Sequence, residues 1–186
     1  MNRDGHRFWD ESQGYSEAAR YVMRQPGGVA WTIFDARIAE VARQFQDFKD
    51  AEAAGALKTA MRLPELAQKL GLPADALSDT IARIYSGAPD VFGRQFNGPA
   101  LAPPFYGVQV TGALFHTQGG LNVAPNGQVL RRDGAAFETL FAAGGAAVGV
   151  SGAADSGYLS GNGLLSAVVL GRIAGQAAAA QTSTGD

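Results

Sequence analysis

The segment Leu140-Phe-Ala-Ala-Gly-Gly145 leads into a glycine-rich loop, Gly149-Val-Ser-Gly-Ala-Ala-Asp-Ser-Gly-Tyr158, and then into Ser160-Gly-Asn-Gly-Leu164 and a long run rich in Ala, Gly and Leu. This order predicts a short buried strand at 140–143, a loop and a helix. It brings backbone N–H groups at a helix N-terminus close to an anionic or electron-rich ligand. A dinucleotide site normally begins with an N-terminal strand and a Gly-x-Gly-x-x-Gly turn, and neither precedes this segment. The chain is therefore expected to be the second part of a larger unit.

The composition is that of a globular protein. The chain has 186 residues, 46% of them apolar, which suffices for one compact domain or two small ones. A formal net charge of −2 gives no electrostatic reason to bind nucleic acid or an anionic membrane. The chain has no cysteine, and its two histidines lie far apart in the sequence, so no metal site is expected. Residues 1–7 are polar and lack a signal-peptide core, which favours a cytoplasmic location.

The first hundred residues are predicted to be mostly helical, with helices at 16–24, 35–48, 63–70 and 73–85 and a buried strand at 29–34. Ser16 and Asp35 are candidate N-caps for the first two helices. The second helix has apolar residues at Ile38, Val41 and Phe45. Four of the eight prolines fall in residues 86–104, which are predicted to form a loop.

The pattern changes to strands near Phe105. Alternation over 105–110 predicts a strand, and the turn Asn126-Gly127 predicts a hairpin joining 119–123 to 128–130. The chain from 105 onwards is therefore predicted to be a β-rich piece that needs a partner sheet.

From Asn162 onwards the apolar residues have helical spacing. Arg172 and Gln176 interrupt this weakly hydrophobic run, so it is predicted to be a buried helix and not a membrane span. Residues 181–186 are predicted to be a disordered tail.

Four segments, taken in chain order, carry a resemblance. They are Asn2-Arg-Asp-Gly-His-Arg-Phe8, the helices at 64–71 and 75–85, His116-Thr-Gln-Gly-Gly120 after Phe105-Tyr106, and Leu140-Phe-Ala-Ala-Gly144 followed by Gly161-Asn-Gly and Gly171-Arg-Ile-Ala-Gly175. In this order they resemble segments of the fumarate reductase/succinate dehydrogenase flavoprotein superfamily, specifically its soluble FAD-dependent reductases and dehydrogenases.

The resemblance implies an α+β fold made of two parts. Residues 1–11 would end a segment of the FAD domain, and 12–104 would form a mostly helical capping domain. Residues 105–180 would supply a β-rich segment and a C-terminal helix to a Rossmann-like FAD-binding domain. The N-terminal half of that domain, which holds the ADP end of FAD, would be absent here. The chain is therefore expected to be a C-terminal fragment, with the missing half encoded in the same gene or in a partner chain.

The resemblance also assigns candidate site residues. His116 matches the family's His-Thr-x-Gly-Gly motif, whose histidine lies above the flavin and hydrogen-bonds the substrate; the alternative is a satisfied turn residue. Contacts to FAD are implied for the glycines and the helix start, namely Gly119, Gly120, Gly144, Gly145, Gly161, Asn162, Gly163 and Leu164. At Gly145 the family usually has a glutamate that binds ribose or ribityl hydroxyls, so one polar anchor is missing.

The helix start can be argued from its own residues. Because Gly161 and Gly163 lack a Cβ, the N–H groups of Gly163 and Leu164 can approach a ligand closely. The partial positive charge there suits the pyrimidine edge of a flavin, where the reduced ring gathers negative charge. The alternative is that Asn162 is an ordinary N-cap of a buried helix.

Two departures from the family concern arginine. Fumarate reductases carry an arginine proton donor shortly after the Arg-Phe pair and a second arginine in the glycine loop. The corresponding stretches here, 11–16 and 151–158, contain none. Arginine binds carboxylates bidentately, so fumarate and succinate are not expected as substrates unless Arg3, Arg7 or Arg94 folds into the site.

The same two stretches contain Tyr15 and Tyr158. A phenol with a pKa of about 10 can move a proton to or from carbon when a neighbour polarises it. This use of tyrosine resembles the ketosteroid dehydrogenases of the wider superfamily, whose substrates are apolar carbonyl compounds. The alternative is that both tyrosines pack at the domain junction.

The expected reaction is hydride transfer between FAD and an activated C–C bond of a small organic or steroid-like carbonyl compound. Tyr15 would move the proton and His116 would polarise the substrate. The alternative is a non-catalytic binding or interaction module. In either case, exposed apolar surface around 140–150 is expected to favour self-association of this chain.

Overall fold

The computed structural model describes residues 1–114, 118–152 and 157–182. Its contacts divide the chain into two compact units, Met1–Ala113 and Leu114–Asp186. The first unit contains α1 (Tyr15–Met23), a 3₁₀ turn (Pro26–Gly28), β1 (Val29–Asp35), α2 (Ala36–Ala42), α3 (Gln46–Ala53), β2 (Lys58–Ala60), α4 (Leu63–Leu70), α5 (Ala74–Ile84) and β3 (Phe105–Thr111). The second contains β4 (Gln128–Leu130), β5 (Ala136–Phe141), a 3₁₀ turn (Gly144–Ala146) and α6 (Asn162–Thr182).

An antiparallel sheet with the order β1–β3–β2 forms the centre of the first unit. β1 pairs with β3 along its whole length, from Val29 opposite Thr111 to Asp35 opposite Phe105. The strand predicted at 105–110 is therefore confirmed, but it belongs to the first unit. The predicted boundary at 104/105 lies earlier than the division between the units because β3 is held between two strands of the first unit.

Helices α4 and α5 pack on this sheet and form the main core. Ala67 and Leu77 are fully buried and pack with Trp31 of β1 and Ile81 of α5. Leu66 is also fully buried, in a second cluster with Ala60 of β2 and Phe105 of β3. α4 ends at Gly71, whose φ of 69° is the left-handed conformation that favours glycine. Both helices lie where their spacing predicted, because their apolar residues recur on one face.

The first two predicted helices differ from the structure. α1 is capped by Gly14, so Ser16 lies inside the helix and is not its N-cap. Asp35 does cap α2, since its carboxylate accepts a hydrogen bond from the N–H of Arg37 at 3.1 Å. The single helix predicted to Phe48 is broken, and Phe45 has an extended backbone with ψ of 137° as the N-cap of α3.

The apolar residues of the predicted second helix are exposed. The exposed fractions are 54% for Ile38, 57% for Val41 and 64% for Phe45, whereas Ala39 is fully buried. α2 therefore packs through a small residue on the side opposite its larger apolar residues.

The predicted hairpin is present in the second unit. Gly127, with φ of 84°, donates its N–H to the carbonyl of Ala124 at 2.8 Å, and Val123 pairs with Val129. β4 also pairs with β5. The strand predicted at 140–143 instead spans 136–141, and Leu140 is exposed, so it is not the short buried strand expected.

The last helix, α6, is mostly exposed, which corrects the prediction of a buried helix. Ala174 is buried against the Gly127 turn, where a Cβ on that glycine would lie 2.5 Å from the Ala174 Cβ. Leu164, Leu165 and Val168 are exposed. Asn162–Gln181 is long and apolar enough to cross a membrane by length and composition alone, which is weak evidence because core helices pass the same test.

The predicted tail at 181–186 starts too early. α6 includes Gln181 and Thr182, and residues 183–186 lie outside the described part of the chain.

Candidate functional site

In the second unit, main-chain hydrogen bonds join the glycine segment around 119–121 to the glycine segment around 144–149. The N–H of Leu121 donates to the carbonyl of Ala146 at 2.8 Å, and the N–H of Val148 donates to the carbonyl of Leu121 at 3.0 Å. A Cβ on Gly120 would lie 2.5 Å from the carbonyl carbon of Ala147. Close main-chain packing therefore already requires glycine at position 120.

The segment after β5 reaches α6. Gly144 has a φ of 58°, and a Cβ added there would lie 3.3 Å from the Cβ of Ala167 in α6. Among the described residues, and apart from their own chain neighbours, none has an atom within 4 Å of a Cβ built on Gly119 or Gly145. The described residues thus leave space beside these two glycines, where a ligand can approach the main chain.

The N-terminus of α6 has the geometry of a binding site for an electron-rich group. Gly161 is left-handed, with a φ of 81°, and the first i→i−4 bond runs from the N–H of Leu165 to the carbonyl of Gly161 at 3.1 Å. The N–H groups of Gly163 and Leu164 precede that bond, and both residues are exposed. Outside the nearby backbone of α6 and the two chain neighbours, no described residue has an atom within 4 Å of a Cβ built on Gly163.

The side chain of Asn162 connects the helix to the glycine loop. Its amide Nδ2 donates to the hydroxyl of Ser151 at 3.2 Å. In this arrangement Asn162 fixes the loop against the start of α6, while the main-chain N–H groups of the next two residues stay accessible.

The candidate catalytic residues fall in different parts of the chain. His116 lies outside the described residues. Tyr15 is the first residue of α1 in the first unit and is 64% exposed, and Tyr158 is half-buried in the second unit. A shared site for these three residues stays a prediction.

Sequence reasoning missed a buried ionic cluster in the first unit. Arg7 has a side chain only 5% exposed; its guanidinium donates to both carboxylate oxygens of Glu11, at 2.7 and 2.6 Å, and is paired with Asp90. The rings of Phe92 and Phe96 lie 5.3 and 4.9 Å from its guanidinium carbon. The i,i+4 spacing of Arg7 and Glu11 was a visible signal, whereas Asp90 is distant in sequence.

Arg94 completes the cluster. It donates to Glu11 at 3.0 Å and lies over the ring of Phe96 at 4.5 Å. Both Arg7 and Arg94, which sequence alone left open as substrate-binding cations, are therefore ion-paired within the first unit.

The cluster shifts the pKa values of its carboxyl groups. Burial alone would raise the pKa of Asp90, but hydrogen bonds from Arg7 and from the N–H groups of Phe92 and Arg94 outweigh it and hold that pKa below its usual value. Burial alone would likewise raise the pKa of Glu11. Hydrogen bonds, the strongest of them from Arg7, outweigh burial, so the pKa of Glu11 is also lowered. Both groups are therefore charged at neutral pH in the folded state.

We expect Arg7→Met to lower the free energy of unfolding by about 3–5 kcal/mol, since it leaves Asp90 buried without its cation and leaves Glu11 with Arg94 alone. Urea unfolding followed by tryptophan fluorescence measures this, because the chain's two tryptophans, Trp9 and Trp31, both lie in the first unit. Arg62→Met is the matched control; its side chain is 73% exposed and it lies 3.8 Å from Glu65, so we expect a loss below about 1 kcal/mol.

The same cluster predicts a pH dependence. A carboxyl whose pKa is lowered on folding adds stability above its unfolded pKa and loses it as the pH falls through the folded value. The stability difference between the wild type and Arg7→Met is thus expected to shrink below about pH 4, where Asp and Glu begin to protonate in the unfolded chain. A difference that is constant from pH 7 to pH 3 would contradict this assignment.

No group of three or more His, Cys, Asp or Glu side chains suited to a metal ion occurs within residues 1–114, 118–152 and 157–182.

The chain is similar to a family of FAD-binding domains and to two known enzymes. The family model described as an FAD binding domain matches residues 1–164. A probable fumarate reductase of Shewanella frigidimarina is 32% identical over 96% of this chain, and a 3-oxosteroid 1-dehydrogenase of Mycobacterium tuberculosis is 28% identical over 82%. The chain covers 30% and 33% of these two relatives.

The fold is also similar to a solved structure. The open conformation of a flavocytochrome c3 fumarate reductase superposes with a TM-score of 0.75 at 31% sequence identity. The similarity covers 96% of this chain and 32% of the solved one. The chain therefore spans about a third of the length of these three proteins.

Proposed function

Because the chain belongs to the FAD-binding flavoprotein family that includes fumarate reductases and 3-oxosteroid dehydrogenases, we propose that it supplies the capping and C-terminal parts of a longer FAD-dependent oxidoreductase. Its reaction is hydride transfer to or from an activated C–C bond of an uncharged carbonyl compound. The dehydrogenation of 3-oxosteroids named for one relative belongs to this chemical class.

The exposed N-terminus of α6 is the observation that carries this proposal. Gly163 and Leu164 present main-chain N–H groups ahead of the first helical bond, with open space beside Gly163. These donors suit the electron-rich pyrimidine edge of a flavin. Gly119 and Gly145, which also have open space, would line the same cofactor.

In the proposed reaction this chain's residues bind the substrate and move its proton. FAD, when bound, supplies the hydride acceptor or donor. Tyr15 transfers the proton at the carbon of the reacting bond that is adjacent to the carbonyl, the hydride being exchanged at the other carbon of that bond, and His116 donates a hydrogen bond to the substrate carbonyl. Tyr158, in the glycine loop, is the second candidate for the proton transfer.

The exposed apolar face of α6 also fits a longer protein. Leu164, Leu165 and Val168 would be covered by the part of the FAD domain that lies beyond this chain. Without that part, such a face favours self-association.

A matched pair of variants tests the proposed flavin contact. In the chain extended to the full length of its relatives, we expect Gly163→Val to reduce the bound flavin per protein at least about tenfold, because the new side chain occupies the space beside the N–H donors. Gly175→Val, at another exposed glycine of the same helix, should keep wild-type flavin content. Absorbance at about 450 nm, characteristic of the cofactor, gives the flavin content.

Circular dichroism must show that both variants are folded. Equal flavin content in the two folded variants would contradict the role given to the start of α6.

A further inference from the structure

The end of β3 packs through a glycine against α1, the helix that begins at Tyr15. Gly112 follows β3 directly, and a Cβ built on it would lie 2.9 Å from Cγ and 3.1 Å from Sδ of Met23. The same Cβ would lie 3.8 Å from the Cβ of Ala19, which precedes Met23 by four residues and so shares its face of the helix. We propose that Gly112 and Met23 are positioning residues for Tyr15, because the missing side chain at position 112 sets how close α1 lies to β3.

The side chain of Met23 is also held from its other side. Its Sδ and Cε lie 3.6 Å from a Cβ built on Gly28, and its Sδ lies 3.8 Å from the hydroxyl of Thr111. That hydroxyl donates a hydrogen bond to the carbonyl of Gly28 at 2.8 Å and so joins the two main-chain segments on which the thioether packs. Because Cγ is only two bonds from the helix backbone, a side chain added at position 112 pushes on α1 through Met23.

A push at Met23 reaches Tyr15 because the two residues are the ends of one helix. They lie about 12 Å apart along its axis. Val22 is buried and Tyr21 stacks on Trp9, so the helix is anchored near Met23, and a displacement there tilts it and moves its first residue. Misplacing a reacting group by about 1 Å can reduce a rate about 100-fold. The inference rests on the proton-transfer role proposed for Tyr15.

A double-mutant cycle in the full-length enzyme tests whether Gly112 acts through Tyr15. Gly112 is not left-handed, so its backbone accepts valine. We expect Gly112→Val to lower kcat at least about tenfold, with unchanged flavin content because α1 has no proposed flavin contact. In the Tyr15→Phe background the same substitution should change kcat by less than about twofold, because the hydroxyl that it misplaces is already absent. Loss of kcat by the same factor in both backgrounds would indicate general damage to the enzyme and overturn the proposal.

Two further variants test the contact with Met23. Met23→Ala removes the Cγ and Sδ atoms that the new side chain would meet, so adding it to Gly112→Val should bring kcat to within about threefold of the wild type. A double variant as slow as Gly112→Val would overturn the assignment to Met23. Gly98→Val is the matched control, because Gly98 lies in the same unit, and apart from its chain neighbours no described residue has an atom within 4 Å of a Cβ built on it. Its kcat should stay within about twofold of the wild type.

If Gly112→Val does not fold by circular dichroism, Gly112→Ala replaces it, with an expected loss of kcat of at least about threefold that again disappears in the Tyr15→Phe background. The Tyr15→Phe enzyme distinguishes the two ways in which the test can fail. If it is slow while the folded Gly112 variant has wild-type kcat, this inference is overturned and the proposed function is not. If Tyr15→Phe leaves kcat unchanged, the proposed role of Tyr15 is wrong and the inference is overturned with it.

Discussion

Replacing Tyr15 by phenylalanine is expected to lower kcat of the full-length enzyme by about two to four decades, the usual effect of removing a general acid or base. Flavin content should not change, because the proposed flavin contacts lie in the second unit. Tyr15 is the first residue of α1 and is 64% exposed, so its loss is expected to cost little stability. The measurement is kcat with a saturating enone substrate.

Tyr21→Phe is the control for this experiment. Tyr21 lies in the same helix but stacks on Trp9 with ring centroids 5.1 Å apart, so its hydroxyl is given no catalytic role. We expect kcat to stay within about twofold of the wild type. If Tyr15→Phe also left kcat unchanged, Tyr15 would be a packing residue and the proton-transfer role would pass to Tyr158 or His116.

The second large effect concerns substrate charge. Fumarate is expected to react about two to four decades more slowly than its uncharged dimethyl ester, in kcat/KM of the full-length enzyme. Each charge-assisted hydrogen bond to a carboxylate contributes roughly 1.5–3 kcal/mol, and the stretches 11–16 and 151–158 lack the two arginines that would provide them. The structure strengthens this expectation, because Arg7 and Arg94 are ion-paired with Glu11.

The intrinsic reactivity of the two compounds must be removed from the comparison. Their rates with free reduced flavin give that correction, and the enzyme ratio is divided by it. Efficient reduction of fumarate after this correction would show that another cation binds its carboxylates, and Arg3 would then be the first candidate.

Local patterns predicted most of the helices and strands of the first unit. α4 and α5 follow their apolar spacing, and Gly71 ends α4 because it is left-handed there. α2 departed from this rule, since a helix packed through Ala39 leaves its larger apolar residues exposed. Sequence spacing shows which residues share a face, but only the tertiary contacts decide which face is buried.

Long-range pairing accounts for the other differences. β3 joins the first unit because it pairs with β1, whose sequence is some seventy residues earlier. The ion pair between Arg7 and Asp90 is also a long-range contact, and no local sequence signal connects these two residues. α6 was predicted to be buried because its composition is apolar, yet the surface that would cover it is not supplied by the described residues of this chain. The predicted start of α6 near Asn162 is confirmed, since glycine and asparagine at a helix start are a local signal.

We propose that this chain contributes to a flavin site in a longer oxidoreductase. The most direct measurement is the visible spectrum of the full-length protein purified without added cofactor, followed by anaerobic reduction and addition of an enone. We expect about one flavin per chain, with absorbance at about 450 nm that is lost on reduction and restored by the enone. A folded, colourless protein that takes up no FAD, or a bound flavin that no enone reoxidises, would contradict it.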